Sequence, residues 1–165
     1  MFEVGEYIVY GTKGVCQVED ITTMQMGDMP KSQYYVLQPV GQKGSKIYVA
    51  TGNQKTIMRR ILTAQQANEL VQEIPQIEEL WLDNEKVREE KYKECIRSCE
   101  CRDLVKIIKT LYLRKEKRIR EGKKITATDE RYLKMAEDNL YSELSIPLKV
   151  PKTEMPAYIS SHIEG

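Results

Sequence analysis

The sequence contains few of the side chains on which most catalytic sites depend. It has one histidine, one tryptophan and one phenylalanine among 165 residues. The histidine, His162, falls on the apolar face of a predicted C-terminal helix, where a packed or capping imidazole is more common than a catalytic one. The glycine-rich loops that bind nucleotides and the GxSxG motif of hydrolases are missing as well. These absences favour a binding protein over an enzyme, and we expect no cofactor.

Long hydrophobic runs are also missing. No window approaches the run of about eighteen apolar residues that indicates a membrane-spanning helix, and the first residues, MFEVGEYIVY, lack the pattern of a signal peptide. We therefore expect a cytoplasmic protein with no membrane contact. The cysteines lack the paired CxxC spacing of zinc knuckles, so buried, reduced thiols are expected in place of a metal site; they are Cys16, Cys95, Cys99 and Cys101.

Residues 1–60 contain short runs rich in valine, isoleucine, tyrosine and threonine, separated by glycine-containing breaks. The clearest runs are Tyr7–Tyr10, Val15–Met24, 33–38 and 46–50. Several short strands in some sixty residues are typical of a small antiparallel barrel of the SH3 or Tudor type. The sequence thus predicts an α+β protein, with this β-barrel at residues 1–60 and an all-α helical domain at 61–165.

After residue 60 the period of the apolar residues changes from 2 to 3.6. A capping-box pattern at residues 63–66 predicts the start of the first helix, and a second helix is expected to begin near residue 83 or 84. Thr126 is the predicted N-cap of a fourth helix. Pro147 and Pro151 are expected to break the chain before a last, short helix.

Residues 102–124 form the most strongly patterned helix. Ten basic residues against three acidic ones leave a net charge of +7. At 100° per residue, one side of this helix is apolar, with Leu104, Ile107, Ile108, Leu111 and Ile119. The other side is basic, with Arg102, Lys106, Lys109, Lys117, Arg120 and Lys124. Such a face suits phosphate contacts with weak sequence specificity, although charged helix faces are often simply solvated.

Two further features each allow two interpretations. Trp81, the single tryptophan, is either an anchor of the helical core or an exposed ring that wedges against a base at a distorted DNA step. Residues 46–50 form either an edge strand that binds a partner or a strand paired inside the barrel.

Two stretches together resemble a known family. The first is VGEYIVY at residues 4–10, followed by Gly14-Val15 and Val18-Glu19. The second is residues 102–113, with the predicted helix before them and the one after them. In this order they resemble the CarD-like family of bacterial RNA-polymerase-binding transcription regulators, whose N-terminal module also occurs in transcription-repair coupling factors.

The resemblance implies a Tudor-like domain that docks edge-on against the β subunit of RNA polymerase, together with a helical domain that contacts promoter DNA. The implied DNA site is the upstream edge of the melted region, where Trp81 would wedge into the minor groove and stabilise the open complex. The remaining DNA candidates are Lys86, Arg88, Lys91, Lys109, Arg114 and Arg131. The candidate polymerase contacts are Met24, Ile47, Tyr48 and Val49.

We also expect the protein to be a monomer. From the charge pattern alone, the alternative is a protein–protein adaptor whose basic helical face binds an acidic partner and which has no direct DNA role. The sequence does not distinguish an activator from a repressor, and it does not identify the target promoters.

Overall fold

The computed structural model describes residues 1–80 and 84–164. The chain divides into two compact units, Met1–Ile61 and Leu62–Gly165. The first consists of strands and the second of helices, so the fold is α+β. None of the described helices is both long enough and apolar enough to cross a membrane.

The N-terminal unit is a five-stranded antiparallel sheet. Its strands are β1 (Tyr7–Tyr10), β2 (Val15–Met24), β3 (Ser32–Pro39), β4 (Ile47–Ala50) and β5 (Met58–Arg60). In space they follow the order β4-β3-β2-β1-β5. A shift in the β2–β3 register between Val18 and Asp20 leaves Glu19 as the additional residue of a bulge.

The predicted barrel of the SH3 or Tudor type is not closed. Within the described residues, β4 pairs with β3 and β5 pairs with β1, while β4 and β5 lie at opposite ends of the sheet. Closure depends on strand tilt and on the stagger between neighbouring strands, which the alternation of apolar residues does not encode. The strand content was therefore predictable, whereas the sequence left two alternatives for residues 46–50, of which the structure shows the edge strand.

One face of the sheet carries a small apolar core. It is formed by Ile8, Cys16, Val18, Tyr35, Leu37 and Val49. The rings of Phe2 and Tyr35 pack together with their centroids 5.7 Å apart, and the Phe2 backbone N–H donates to the Tyr35 hydroxyl at 3.1 Å. This contact closes the core beneath the N-terminal segment.

The C-terminal unit contains five described α-helices. They are α1 (Ala64–Glu73), α2 (Glu85–Arg97), α3 (Cys101–Arg120), α4 (Ala127–Leu148) and α5 (Met155–Glu164). Three of them begin at polar caps that the sequence indicated. Thr63 and Gln66 form a reciprocal capping box, Asn84 accepts from the Val87 N–H, and Thr126 accepts from the Asp129 N–H.

The core of this unit gathers around α3. Leu104, Ile107 and Leu111 are buried, and Ile108 packs against the core. Ile119, predicted on the same face, is instead 58% exposed. It follows Leu111 by eight positions, which places it about 80° around the helix. Arg118, seven positions after Leu111, comes much closer to that face.

The predicted break at Pro147 is also wrong, because α4 continues through it to Leu148. Proline removes a single backbone donor, and near the end of a helix that loss interrupts little of the hydrogen-bond ladder. The C-cap of the helix is Lys149, which adopts the left-handed conformation with φ 56° and donates its N–H to the Ile146 carbonyl.

Candidate functional site

Strand β4 provides an open edge in the N-terminal unit. Its hydrogen-bonding partner is β3, and within the described residues no strand pairs with its other side. The Thr51 N–H donates to the Gln33 carbonyl at 3.0 Å. In an antiparallel ladder, hydrogen-bonded and non-hydrogen-bonded residue pairs alternate along the strand. Since Thr51 is hydrogen-bonded to β3, the backbone N–H and C=O groups of Ala50 and Tyr48 point away from β3. The Tyr48 groups are thus available to a further strand, whereas the Ala50 carbonyl already accepts from the Asn53 N–H at 3.0 Å.

The four polymerase-contact candidates differ in exposure. Tyr48 is 45% exposed, whereas Val49 is 5% exposed and belongs to the core of the sheet. Ile47 is half-buried beside that core. Met24 is half-buried at the end of β2, where it pairs with Ser32. Of the β4 candidates, Tyr48 thus offers its side chain to a partner, and Val49 offers none.

In the helical unit, Arg114 takes part in a buried ion pair. Its Nε donates to Oδ2 of Asp129 at 2.9 Å, and the Asp129 side chain is 3% exposed. The Tyr92 hydroxyl donates to the other carboxylate oxygen at 3.3 Å. Burial raises the pKa of Tyr92, and the negative charge of Asp129 raises it further. Arg88 is partly buried and lines the depression above this cluster.

Three other DNA candidates have partners within the helical unit. The Lys109 ammonium donates to the Ile77 carbonyl at 2.6 Å. Arg131 pairs with Glu89 at 3.3 Å, and its guanidinium lies 5.1 Å from the centre of the Tyr132 ring. Lys91 pairs with Glu94 at 3.7 Å on the surface. Of the predicted cations, Lys86 is exposed and makes no ion pair with any residue that the structure describes.

A second group of exposed cations lies at the end of α3. It consists of Lys117, Arg120 and Lys124, which we call the terminal cluster. In the described part of the chain none of the three forms an ion pair. Two hydrogen bonds stabilise the adjoining turn: the Lys123 N–H donates to the Arg118 carbonyl at 2.7 Å, and Arg118 Nε donates to the Lys124 carbonyl at 2.6 Å. The basic stripe contained these residues, but the site prediction omitted them.

Trp81 lies outside the described residues, so the structure provides no position for the predicted wedge. His162 is exposed, and its ring stacks on Tyr158 with the centroids 3.9 Å apart. Its Nδ1 lies 2.8 Å from the Tyr158 carbonyl oxygen. His162 therefore contacts its own helix and is exposed, whereas the sequence placed it on an apolar face.

The cysteines are buried and unpaired with one another. Burial raises the pKa of the Cys16 and Cys95 thiols to about 11, and Asp103 contributes to the rise at Cys95. Among the described residues, no group of three or more histidine, cysteine, aspartate or glutamate side chains could hold a metal ion. Burial thus favours the protonated form of the Cys16 and Cys95 thiols.

Comparison with known protein families assigns the N-terminal unit. Residues 2–62 match the family model described as the CarD-like/TRCF RID domain. This part of the chain is a domain of the CarD-like/TRCF RID type, as the sequence resemblance indicated. The match ends at residue 62 and does not extend into the helices. A search of the curated proteins finds no match.

Proposed function

We propose that this chain is a non-catalytic transcription regulator that binds the β subunit of RNA polymerase and promoter DNA. The observation that carries the proposal is the CarD-like domain at residues 2–62, whose sheet ends in the open strand β4. Tyr48 is exposed on that strand, and its backbone N–H and C=O groups form no hydrogen bonds with β3. A polymerase segment would extend the sheet along this edge and pack against the tyrosine ring.

The helical unit would supply the DNA contacts. The terminal cluster and Lys86 are exposed, whereas Arg114 and Lys109 are engaged inside the unit. Phosphate contacts by exposed cations position a protein on a duplex without reading its sequence. Trp81 would then act as the wedge at the upstream edge of the bubble, as the family resemblance implies.

The regulatory effect would come from differential binding. Contacts that form better in the open promoter complex than in the closed one shift the equilibrium between them, and about 1.4 kcal/mol of difference shifts it tenfold. Such a mechanism requires no catalytic group. It also requires no operator sequence, in agreement with a contact surface made of phosphate-binding cations and one aromatic ring.

The test is co-purification of the full chain with RNA polymerase, followed by footprinting on a melted promoter. We expect protection at the upstream bubble edge and a shorter open-complex lifetime for Trp81→Ala, which should still bind polymerase. A lifetime identical to that of the unsubstituted protein would contradict the wedge. Loss of polymerase binding by Trp81→Ala would instead indicate that the tryptophan contacts RNA polymerase and not DNA.

A protein–protein adaptor is the second candidate, because α3 also exposes apolar side chains. Tyr112, Leu113 and Ile119 are 41%, 49% and 58% exposed. Apolar surface of this kind can mark a protein interface. Salt titration with forked duplex DNA separates the two functions, since the adaptor would bind no DNA at any ionic strength.

A further inference from the structure

The four residues that precede Trp81 are held by helix α3. Residue Ile77 has an extended backbone after the short 3₁₀ turn Ile74–Gln76. Its carbonyl accepts from the Lys109 ammonium at 2.6 Å. Three residues later, the Leu80 N–H donates to the Thr110 hydroxyl oxygen at 2.8 Å. Two adjacent side chains of α3 therefore hold both ends of residues 77–80.

The Thr110 hydroxyl both donates and accepts a hydrogen bond in this arrangement. It donates to the Lys106 carbonyl at 2.7 Å, one turn earlier in α3, and accepts from Leu80 with a lone pair. Thr110 is 5% exposed, so water does not readily replace either bond. A threonine that only bonded back to its own helix would leave the Leu80 N–H without this acceptor. The hydroxyl thus has a specific role in joining residue 80 to α3.

Apolar contacts add to these hydrogen bonds. Ile77 is 7% exposed and belongs to the core of the helical unit, and Leu80 packs against the same core. Consecutive Cα atoms lie about 3.8 Å apart. The attachment point of Trp81 is therefore within one residue of a backbone amide that α3 holds in place.

We propose that Lys109 and Thr110 are positioning residues for Trp81, acting through the backbone of residues 77–80. The proposal rests on the proposed function, in which Trp81 contacts melted DNA. A ring that projects from an anchored segment loses less conformational freedom on binding than one on a free linker. Lys109 then serves the DNA contact indirectly, by holding the Ile77 carbonyl, and the phosphate contacts come from other cations.

Because Trp81 is the only tryptophan, time-resolved fluorescence anisotropy of the full chain reports its motion without a label. We compare Thr110→Val, which keeps the shape but removes the hydroxyl, with Thr110→Ser, which keeps the hydroxyl. Lys109→Met removes the ammonium and keeps most of the stem. Lys106→Met is the matched control, since Lys106 lies on the same helix and pairs with Asp103 at 3.8 Å.

We expect Thr110→Val and Lys109→Met to increase the fast local motion of Trp81, while Thr110→Ser and Lys106→Met leave that motion unchanged. Affinity for an unlabelled forked duplex should fall by about tenfold in the first two variants, the order expected when a residue must be ordered on binding. Circular dichroism confirms that each variant is folded. If Thr110→Val fails to fold, Lys109→Met still provides the test.

Unchanged Trp81 motion in folded Thr110→Val and Lys109→Met would overturn the proposal, whatever their DNA affinity. The proposal would also be overturned if Trp81→Ala bound DNA poorly while Thr110→Val and Lys109→Met showed increased Trp81 motion and kept full DNA affinity. Increased motion in a protein whose Trp81→Ala variant keeps full DNA affinity would support the positioning role and contradict the proposed DNA function. The two hypotheses therefore fail separately.

Discussion

Arg114 and Asp129 form an ion pair between α3 and α4, with the arginine Nε 2.9 Å from the carboxylate Oδ2. The carboxylate is almost fully buried, while the arginine side chain is 25% exposed. Tyr92 on α2 completes the group through its hydroxyl. Three helices thus meet at one carboxylate, and Arg114, a candidate DNA contact from the sequence, has a structural partner.

Arg114→Met should therefore reduce the free energy of unfolding by about 3 kcal/mol, because it leaves the Asp129 charge buried without its cation. Urea denaturation measures this loss. The double variant Arg114→Met with Asp129→Asn should lose less than the sum of the single losses, since the two groups interact directly. Additive losses would mean that the ion pair contributes nothing to stability.

Removing the terminal cluster should weaken DNA binding through its salt dependence. In a variant carrying Lys117→Ala, Arg120→Ala and Lys124→Ala, we expect the slope of log affinity against log salt to fall by about 0.9 for each phosphate that the variant leaves unbound. Fluorescence titration of forked duplex at several salt concentrations measures the slope. Lys152→Ala is the control, because Lys152 already pairs with Asp138 at 3.3 Å. Equal slopes for both variants would exclude the cluster from the DNA surface.

Tyr48→Glu should weaken binding to RNA polymerase, because it places a charge on the exposed side chain of the open strand β4. A loss of at least tenfold in a β-subunit pull-down is expected, corresponding to about 1.4 kcal/mol. Ile57→Glu provides a matched control: Ile57 is 47% exposed, close to the 45% of Tyr48, and adjoins β5 at the other end of the sheet. If both substitutions reduced binding equally, β4 would not be the specific docking edge.

Stability should decline in alkali. Burial raises the pKa of the Cys16 and Cys95 thiols from 9.0 to about 11, so the folded state binds their protons more tightly than the unfolded state. The stabilisation is complete below the unfolded pKa and is lost as the pH rises from about 9 to 11. Thermal unfolding across this range measures the effect. Cys16→Ala and Cys95→Ala should each flatten the pH dependence, and an unchanged curve would argue against thiol ionisation as its cause.

Local chemistry in the sequence predicted most elements of the fold. The side chains of Thr63, Asn84 and Thr126 satisfy the first backbone amides of their own helices, so these starts are encoded within a few residues. The strands Tyr7–Tyr10 and Val15–Met24 likewise follow from runs of β-forming residues. The resemblance of residues 4–19 to the CarD-like family was confirmed by the match over residues 2–62, and the second stretch, residues 102–113, lies outside that match.

The candidate sites were less predictable, because charge and exposure depend on distant partners. Lys109, Arg114 and Lys117 all lie in one basic helix, yet Lys109 holds the backbone of Ile77, Arg114 pairs with Asp129, and Lys117 is exposed. A helical wheel places a residue on a face but does not show what packs against that face.

The sequence by itself determined the α+β order of elements, the helix starts and the family of the first 62 residues, since these depend on local chemistry and a contiguous motif. Only the tertiary structure decided that the sheet stays open at β4, that Val49 is buried beside the exposed Tyr48, and which cations are engaged inside the helical unit. Those outcomes depend on strand stagger and on contacts between residues far apart in the chain.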